Sequence, residues 1–287
     1  MITVEQAIKA VQENTSPLEF KETKNVVNTC GFVLFEDVFS PINMPPFNQS
    51  AMDGYAINIH DKTTYNLIDE VKAGDENQPI LKTGDTVRIF TGAAVPETAN
   101  AVIMQEKVTV DGQKIEIDDV VSKGKNIRPL GEQIKKGKVA LKKGIKLTPA
   151  SIGYLTSLGI TEVEVYKKPS IAVIVTGDEL IKAGKSLPYG KIYESNSIML
   201  LNALSSLGFT NISQHKINDN YTNTLAKLDK VIKKNDMIII TGGISVGDYD
   251  FVGKALIELG VKEIFYKRSE EHTSELQSRR NLVCRLL

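Results

Sequence analysis

From Ser170 onward, short unbroken apolar runs alternate with stretches whose apolar residues recur every three or four positions. The runs are Ile171–Thr176 (IAVIVT) and Met237–Thr241 (MIIIT), largely β-branched, the texture of strands buried on both faces. Leu200, Leu201, Leu204 and Leu207 share one helix face, with Asn196 as the expected N-cap and Gly208 closing it. Leu225, Leu228, Val231 and Ile232 share a second within Thr222–Lys234. Val252, Ala255, Leu256 and Leu259 share a third, with Asp250 placed to cap it and Gly260 just past its end. Asn211–Ile217 and Val261–Tyr266 read as further strands. Strand and helix thus take turns, which predicts a doubly wound α/β domain on a parallel sheet over residues 169–267.

The first half has another rhythm. Val4, Ala7, Ile8 and Val11 predict an amphipathic helix behind a Thr3/Gln6 capping box, which is no signal peptide. Val26, Val27, Val33 and Leu34 suggest a second helical piece around Gly31, and Pro41, Pro45 and Pro46 then stop any helix. From Phe47 short strands follow, Ala56–Ile59, Asn66–Val71, Val87–Phe90 and Ala101–Gln105, with a hairpin in VTVDGQKIEI about Asp111-Gly112. They predict a small β domain of barrel or sandwich type over 47–131. Beyond it, a Lys-rich stretch reads as a solvated surface strand pair, and Thr148-Pro149 opens a helix with Ile152, Leu155 and Leu158 inward and Gly159 at its end. Residues 1–46 and 132–168 are expected to pack as one elongated, discontinuous linker domain, with the β domain inserted between them.

The end of the chain does not continue either pattern. RSEEHTSELQSRRNLVCRLL has neither Gly nor Pro, and an amphipathic terminal helix carrying Leu282, Val283, Leu286 and Leu287 is one reading. The preferred reading is that RSEEHTSELQS is a translated sequencing-adapter oligonucleotide, which makes 268–287 a non-native tail.

Composition narrows the partners. Thirty-five basic and 35 acidic residues cancel, so charge recommends neither a nucleic acid nor a membrane surface, and no apolar run reaches membrane-spanning length. A cytoplasmic protein is expected. Cys30 and Cys284 have no close partner, and His60, His215 and His272 stand far apart, so neither disulfides nor a thiolate or histidine metal site is indicated.

The chemistry sits where the apolar runs end. TGGISVGDYD follows one strand and TGDEL the other, and in parallel sheets ligands bind at the carboxyl ends of strands where the order reverses. Glycine turns offer backbone N–H groups to a phosphate, and carboxylates such as Glu179, Asp178, Asp248 and Asp250 offer oxygen to a hard cation. In the β domain, Asp53-Gly54 precedes a strand and Thr91-Gly92 leaves one; a plain turn explains the first equally well.

Four motifs occur in order: PPFNQSAMDGYA, RIFTGAAVP with ANAVIMQE, GKNIRPLGE, and TGDEL with TGGISVGDYD. Together they resemble the molybdopterin molybdenumtransferase family over residues 1 to about 267. The resemblance implies a homodimer that inserts molybdate into adenylylated molybdopterin, releasing AMP with Mg²⁺ assisting, in a cleft between the α/β domain of one subunit and the β domain of the other. The adenylyltransferase of the same pathway is an implied partner. By position, Asp53, Thr91, Glu179 and Asp250 match catalytic residues; Asp248, Asp250 and Glu179 would hold the metal. Thr176, Gly177, Asp178, Asn196, Gly242, Gly243, Ser245, Gly247 and Arg128 would face substrate or phosphate, although Arg128 equally suits a surface ion pair.

The chain departs from the family at Asn48 and Gln49, where Phe-Asp-Asn-Ser is usual, and at Gln133, where Asp is usual. After Lys267 the expected Pro-Gly-Lys-Pro stretch, the remaining strands and a small C-terminal β domain do not follow, so this chain is expected to be an inactive fragment. Two other functions compete: a molybdopterin adenylyltransferase, which shares the TGG loop but lacks a SAMDGYA-bearing β domain, and a non-catalytic dimeric scaffold module.

Overall fold

The computed structural model describes residues 4–218, 220–242 and 251–264, and the backbone of 282–286. Helix α1 spans Val4–Glu13. The chain forms two units, one made of Met1–Glu22 with Tyr166–Leu287, the other of Thr23–Val165.

The second unit is built on one mixed sheet of six strands: β1 (Gly54–Ile57), β2 (Thr64–Val71), β3 (Asp85–Ile89), β4 (Ala101–Met104), β5 (Val108–Asp111) and β6 (Lys114–Ile117). Their order is β4-β1-β3-β2-β6-β5, with β2 and β3 parallel and the other pairs antiparallel. Side-chain alternation sends Ala56, Val87, Ile89 and Val102 to one core and Tyr55, Ile57, Ala101, Ile103 and Ile115 to another. Both faces are therefore covered. The hairpin turns at Asp111-Gly112 as expected, with Gly112 at φ +61°.

Around this sheet, Val26, Leu34, Leu147, Leu155, Val163 and Val165 form a separate core under helix α2 (Pro149–Ser157). Thr148 caps α2 by accepting from the Ser151 amide, 3.2 Å. Residues 22–40 do not form the second helical piece that the valines suggested. They make the strand Lys21–Asn25, a single tight turn Val26–Asn28 and the short strand Val38–Phe39. Gly31 takes φ +79°, which ends any helix there, and the Asn25 side chain, accepting from the Val27 amide, caps only the single turn Val26–Asn28. The lysine-rich stretch contributes one strand, Val139–Leu141, which pairs with Val38–Phe39 rather than with a lysine-rich neighbour. The strand Lys21–Asn25 pairs with Glu162–Tyr166, and the Val26 amide bonds Thr161 O at 2.8 Å.

The first unit holds the parallel sheet: β7 (Ile171–Thr176), β8 (Ile212–Ile217) and β9 (Met237–Thr241), with β10 (Leu282–Leu286) added antiparallel, in the order β8-β7-β9-β10. Every residue of β7 is buried, each large one stabilising by about 2 kcal/mol. Helix α3 (Asn196–Ser206) packs Leu204, Leu200 and Leu201 on the face made by Ile171, Val173 and Ile239. Helices α4 (Tyr221–Ile232) and α5 (Phe251–Glu258) pack Leu228, Val231, Val252 and Ala255 on the opposite face, against Ala172, Ile174, Ile238 and Ile240. This is the doubly wound arrangement the spacing predicts.

Three local expectations fail. Asn196 is the first residue of α3, not its cap; the Ser197 amide is satisfied from outside by Glu194, 2.8 Å. Residues 261–264 carry no strand, and 265 and 266 lie outside the described residues. Residues 282–286 form a strand rather than a terminal helix, because the open edge of β9 presents unpaired backbone groups that a strand satisfies and a helix cannot.

Candidate functional site

Adjacent strands β7 and β9 diverge at their carboxyl ends: β7 leads to α3 on one face, β9 to α5 on the other. In open parallel sheets, strands that diverge in this way mark the usual place for a ligand. Thr176 and Gly177 stand at the end of β7, Thr241 and Gly242 at the end of β9. Gly242 takes φ +83°, and a Cβ there would lie 2.8 Å from both the carbonyl oxygen and Oγ1 of Thr176. Only glycine fits. Thr176 is 5% exposed, and its Oγ1 is buried without a hydrogen-bond partner among the described residues. Such an orphan costs about 1–3 kcal/mol unless something else bonds it.

The TGDEL turn folds back on itself. A Cβ on Gly177 would meet the Glu179 carboxylate oxygens at 2.5 and 2.6 Å, so Glu179 lies over the glycine backbone with its side chain exposed. Lysines pin the turn from outside: Lys216 Nζ, at the end of β8, donates to Leu180 O at 2.7 Å, and Lys191 Nζ to Asp178 O at 3.1 Å. At the start of α3, Glu194 also accepts from the Ser197 hydroxyl, and Gln214 of β8 donates to that same oxygen, fixing the turn that presents Asn196. Gly243, Ser245, Gly247, Asp248 and Asp250 lie outside the described residues.

In the Thr23–Val165 unit the expected residues also meet. Asp53 Oδ1 accepts from the Thr91 amide at 2.7 Å and the Thr91 hydroxyl at 2.8 Å. These two bonds, aided by Arg88, hold the Asp53 carboxyl below the usual carboxylate range. Asp53 is exposed, and its Oδ2 takes no hydrogen bond among the described residues. An ionised carboxylate with one oxygen anchored and one free can accept from a ligand or hold a cation, and it is a weak general base. Gly54 is not a plain turn glycine: a Cβ there would lie 1.8 Å from Ile103 O, so the residue after Asp53 must be glycine for β1 and β4 to pair. Arg128 is held in a half-exposed ion pair, its Nε donating to Glu132 Oε2 at 3.1 Å.

Sequence reasoning passed over Arg88, Gln105, Lys191, Lys216, Glu194 and Gln214. Arg88 was visible inside RIFTGAAVP and Gln105 inside ANAVIMQE, and Glu194 stands three residues before its partner Ser197; Lys191, Lys216 and Gln214 carry no local signal, because their partners are distant in the chain.

Two family matches cover most of the chain. Residues 2–159 match "MoeA N-terminal region (domain I and II)" and residues 172–284 match "Probable molybdopterin binding domain". The chain is 37% identical over 265 residues to the molybdopterin molybdenumtransferase of Haemophilus influenzae, covering 91% of this chain and 65% of that one. It is 31% identical to the enzyme of the same name from Staphylococcus epidermidis, covering 93% of this chain and 65% of the relative. A solved structure titled as a molybdopterin biosynthesis moeA protein from Pyrococcus horikoshii superposes with a TM-score of 0.76 at 34% identity, covering 84% of this chain and 66% of that one. The chain thus spans 65% of the length of these two curated relatives. Among the described residues no helix is long and apolar enough to cross a membrane.

Proposed function

The chain belongs to the molybdopterin molybdenumtransferase family, and from that premise we propose that it is the insertase portion of a molybdenum-cofactor pathway enzyme, acting on adenylylated molybdopterin and molybdate and releasing AMP. The observation that supports this most is the divergence of β7 and β9, where Gly242 lies against Thr176 and a buried hydroxyl has no partner among the described residues. An oxyanion of the adenylate is the group that we assign to that hydroxyl. The Gly177 and Gly242 turns bring backbone close to it, as an anion site requires.

Cleaving the adenylyl linkage leaves negative charge on phosphate oxygens, and fixed donors lower that cost. Thr176 and the glycine turns orient the phosphates, while Lys191 and Lys216 keep the TGDEL turn, and with it Glu179, in place. Among the described residues no three histidine, cysteine or carboxylate side chains gather. Glu179 nonetheless supplies carboxylate oxygen at the end of β7, a chemistry that suits a hard cation. Glu179 would hold Mg²⁺ with Asp248 and Asp250, which lie outside the described residues. When bound, the ion would neutralise phosphate charge. Asp53, kept ionised by Thr91, accepts from substrate donors rather than shuttling a proton. The working form in this reading is a cytoplasmic homodimer in which Asp53 and Thr91 of one subunit complete the α/β site of the other.

The test is AMP release from adenylylated molybdopterin, with and without molybdate, in the protein extended to the length of its relatives, alongside calorimetric binding to this chain. Glu179→Gln and Asp250→Asn are each expected to lower AMP release at least tenfold at unchanged circular dichroism. Full activity in both would remove the site assignment.

A further inference from the structure

Asp53 and Thr91 sit at the ends of strands already paired in the ladder, Gly54 opposite both Ile89 and Met104, and Arg88 adds side-chain ties across those ends. Its guanidinium lies 5.0 Å from the ring centroids of both Tyr55 and Phe90. From that slot Nη1 donates to Gly54 O at 3.2 Å and Nη2 donates to Gln105 Oε1. Gln105 in turn gives its backbone amide to Asp53 O at 3.1 Å. The bonds close a ring: Asp53 to Gln105, Gln105 to Arg88, Arg88 to Gly54, and Gly54 back to Asp53 through the chain. Thr91 follows Phe90, one of the two rings that grip Arg88, so the donor and the acceptor of the Asp53–Thr91 pair are each one residue from an Arg88 contact.

We infer that Arg88 is a positioning residue for Asp53: by locking the ends of β1, β3 and β4 to one another, it sets the direction of the free Asp53 oxygen. The inference rests on the reading of Asp53 as a group that meets substrate. The chemistry calls for arginine specifically. A planar guanidinium stacks between two rings while its separate N–H groups reach two acceptors; a lysine ammonium, as a point charge, cannot hold both rings and both oxygens. The sheet itself is held by backbone pairing and by cores of Ala56, Val87, Ile89 and Val102 on one face and Tyr55, Ile57, Ile103 and Ile115 on the other, Arg88 lying over Tyr55 of the second.

The experiment compares Arg88→Lys and Arg88→Met with the parent chain by amide hydrogen exchange and by calorimetric binding of adenylylated molybdopterin. The Thr91 amide, protected by Asp53, is expected to exchange about tenfold faster in both variants while the Val102 and Ile103 amides keep their rates, and affinity is expected to fall about fivefold. Unchanged Thr91 exchange in both variants overturns the inference, and so does an increase shared equally by Val102 and Ile103, which would make Arg88 a general prop of the sheet. Asp53→Asn separates the two readings. Parental affinity in that variant would remove Asp53 from the site and with it the consequence drawn for Arg88, whereas the exchange result speaks to Arg88 alone.

Discussion

A threonine hydroxyl at the end of a buried strand is usually satisfied by a neighbouring carbonyl, and at Thr176 no partner stands among the described residues. Folding alone gives no reason to keep it. Replacing it with valine, which has the same shape, removes the orphan without opening a cavity. Thr176→Val is therefore expected to leave unfolding free energy unchanged or raise it by up to about 1 kcal/mol, while weakening adenylylated-molybdopterin binding about tenfold. Urea titration and calorimetry read the two effects separately, and a variant that lost stability but kept affinity would show the hydroxyl to be structural. Gly54 makes the opposite point. An Asp-Gly pair reads as a turn in any sequence, and only the approach of Ile103 O, 49 residues along the chain, reveals that the glycine makes room for a neighbouring strand.

At the scale of elements, legibility followed the range of the forces involved. β7, β9, α3, α4 and α5 were readable because burial on one or both faces imprints a period on the sequence. The segment from Val26 to Leu34 was misread because Val26 and Leu34 serve a core formed with Leu147, Leu155 and Val163, partners more than a hundred residues away, while Val27 is exposed. The TGDEL turn was legible as a glycine turn at a strand end, but the lysines that pin it were not, since a lysine bonding a carbonyl leaves no mark distinguishable from a solvated one. One clamp within the parallel sheet carries a testable charge. Asp236, just before β9, accepts from the Ser170 amide at 2.8 Å and the Ser170 hydroxyl at 2.7 Å, joining the starts of β7 and β9. Those bonds hold its carboxyl below the usual carboxylate range. A depressed folded value adds stability above the unfolded value of about 4, and that stability is lost as pH falls through the folded one. Asp236→Asn is expected to cost about 1 kcal/mol at neutral pH. The gap from the parent should close progressively below about pH 4; a gap independent of pH would show that the charge is irrelevant.

Taken whole, the molecule is two units that the chain enters and leaves in an orderly way. Thr23–Val165 is continuous, carries its own cores, and has its two ends side by side in the strand pair Lys21–Asn25 with Glu162–Tyr166. A segment whose ends already meet loses little on excision, because the bonds that close it come with it. Residues 21–166 expressed alone are expected to give a dispersed amide spectrum and a cooperative thermal transition; a collapsed spectrum would show that this unit depends on the rest of the chain.

The same strand pair has a mechanical consequence. The Lys167 amide bonds Phe20 O and the Val26 amide bonds Thr161 O, so the two strands run in opposite directions and their outer ends face the rest of the chain. Tension applied through residues 20 and 167 would load these bonds one after another, like a zip opened from its tab. The clasp would part at low force, and only afterwards would any pull reach the six-stranded sheet that carries Asp53.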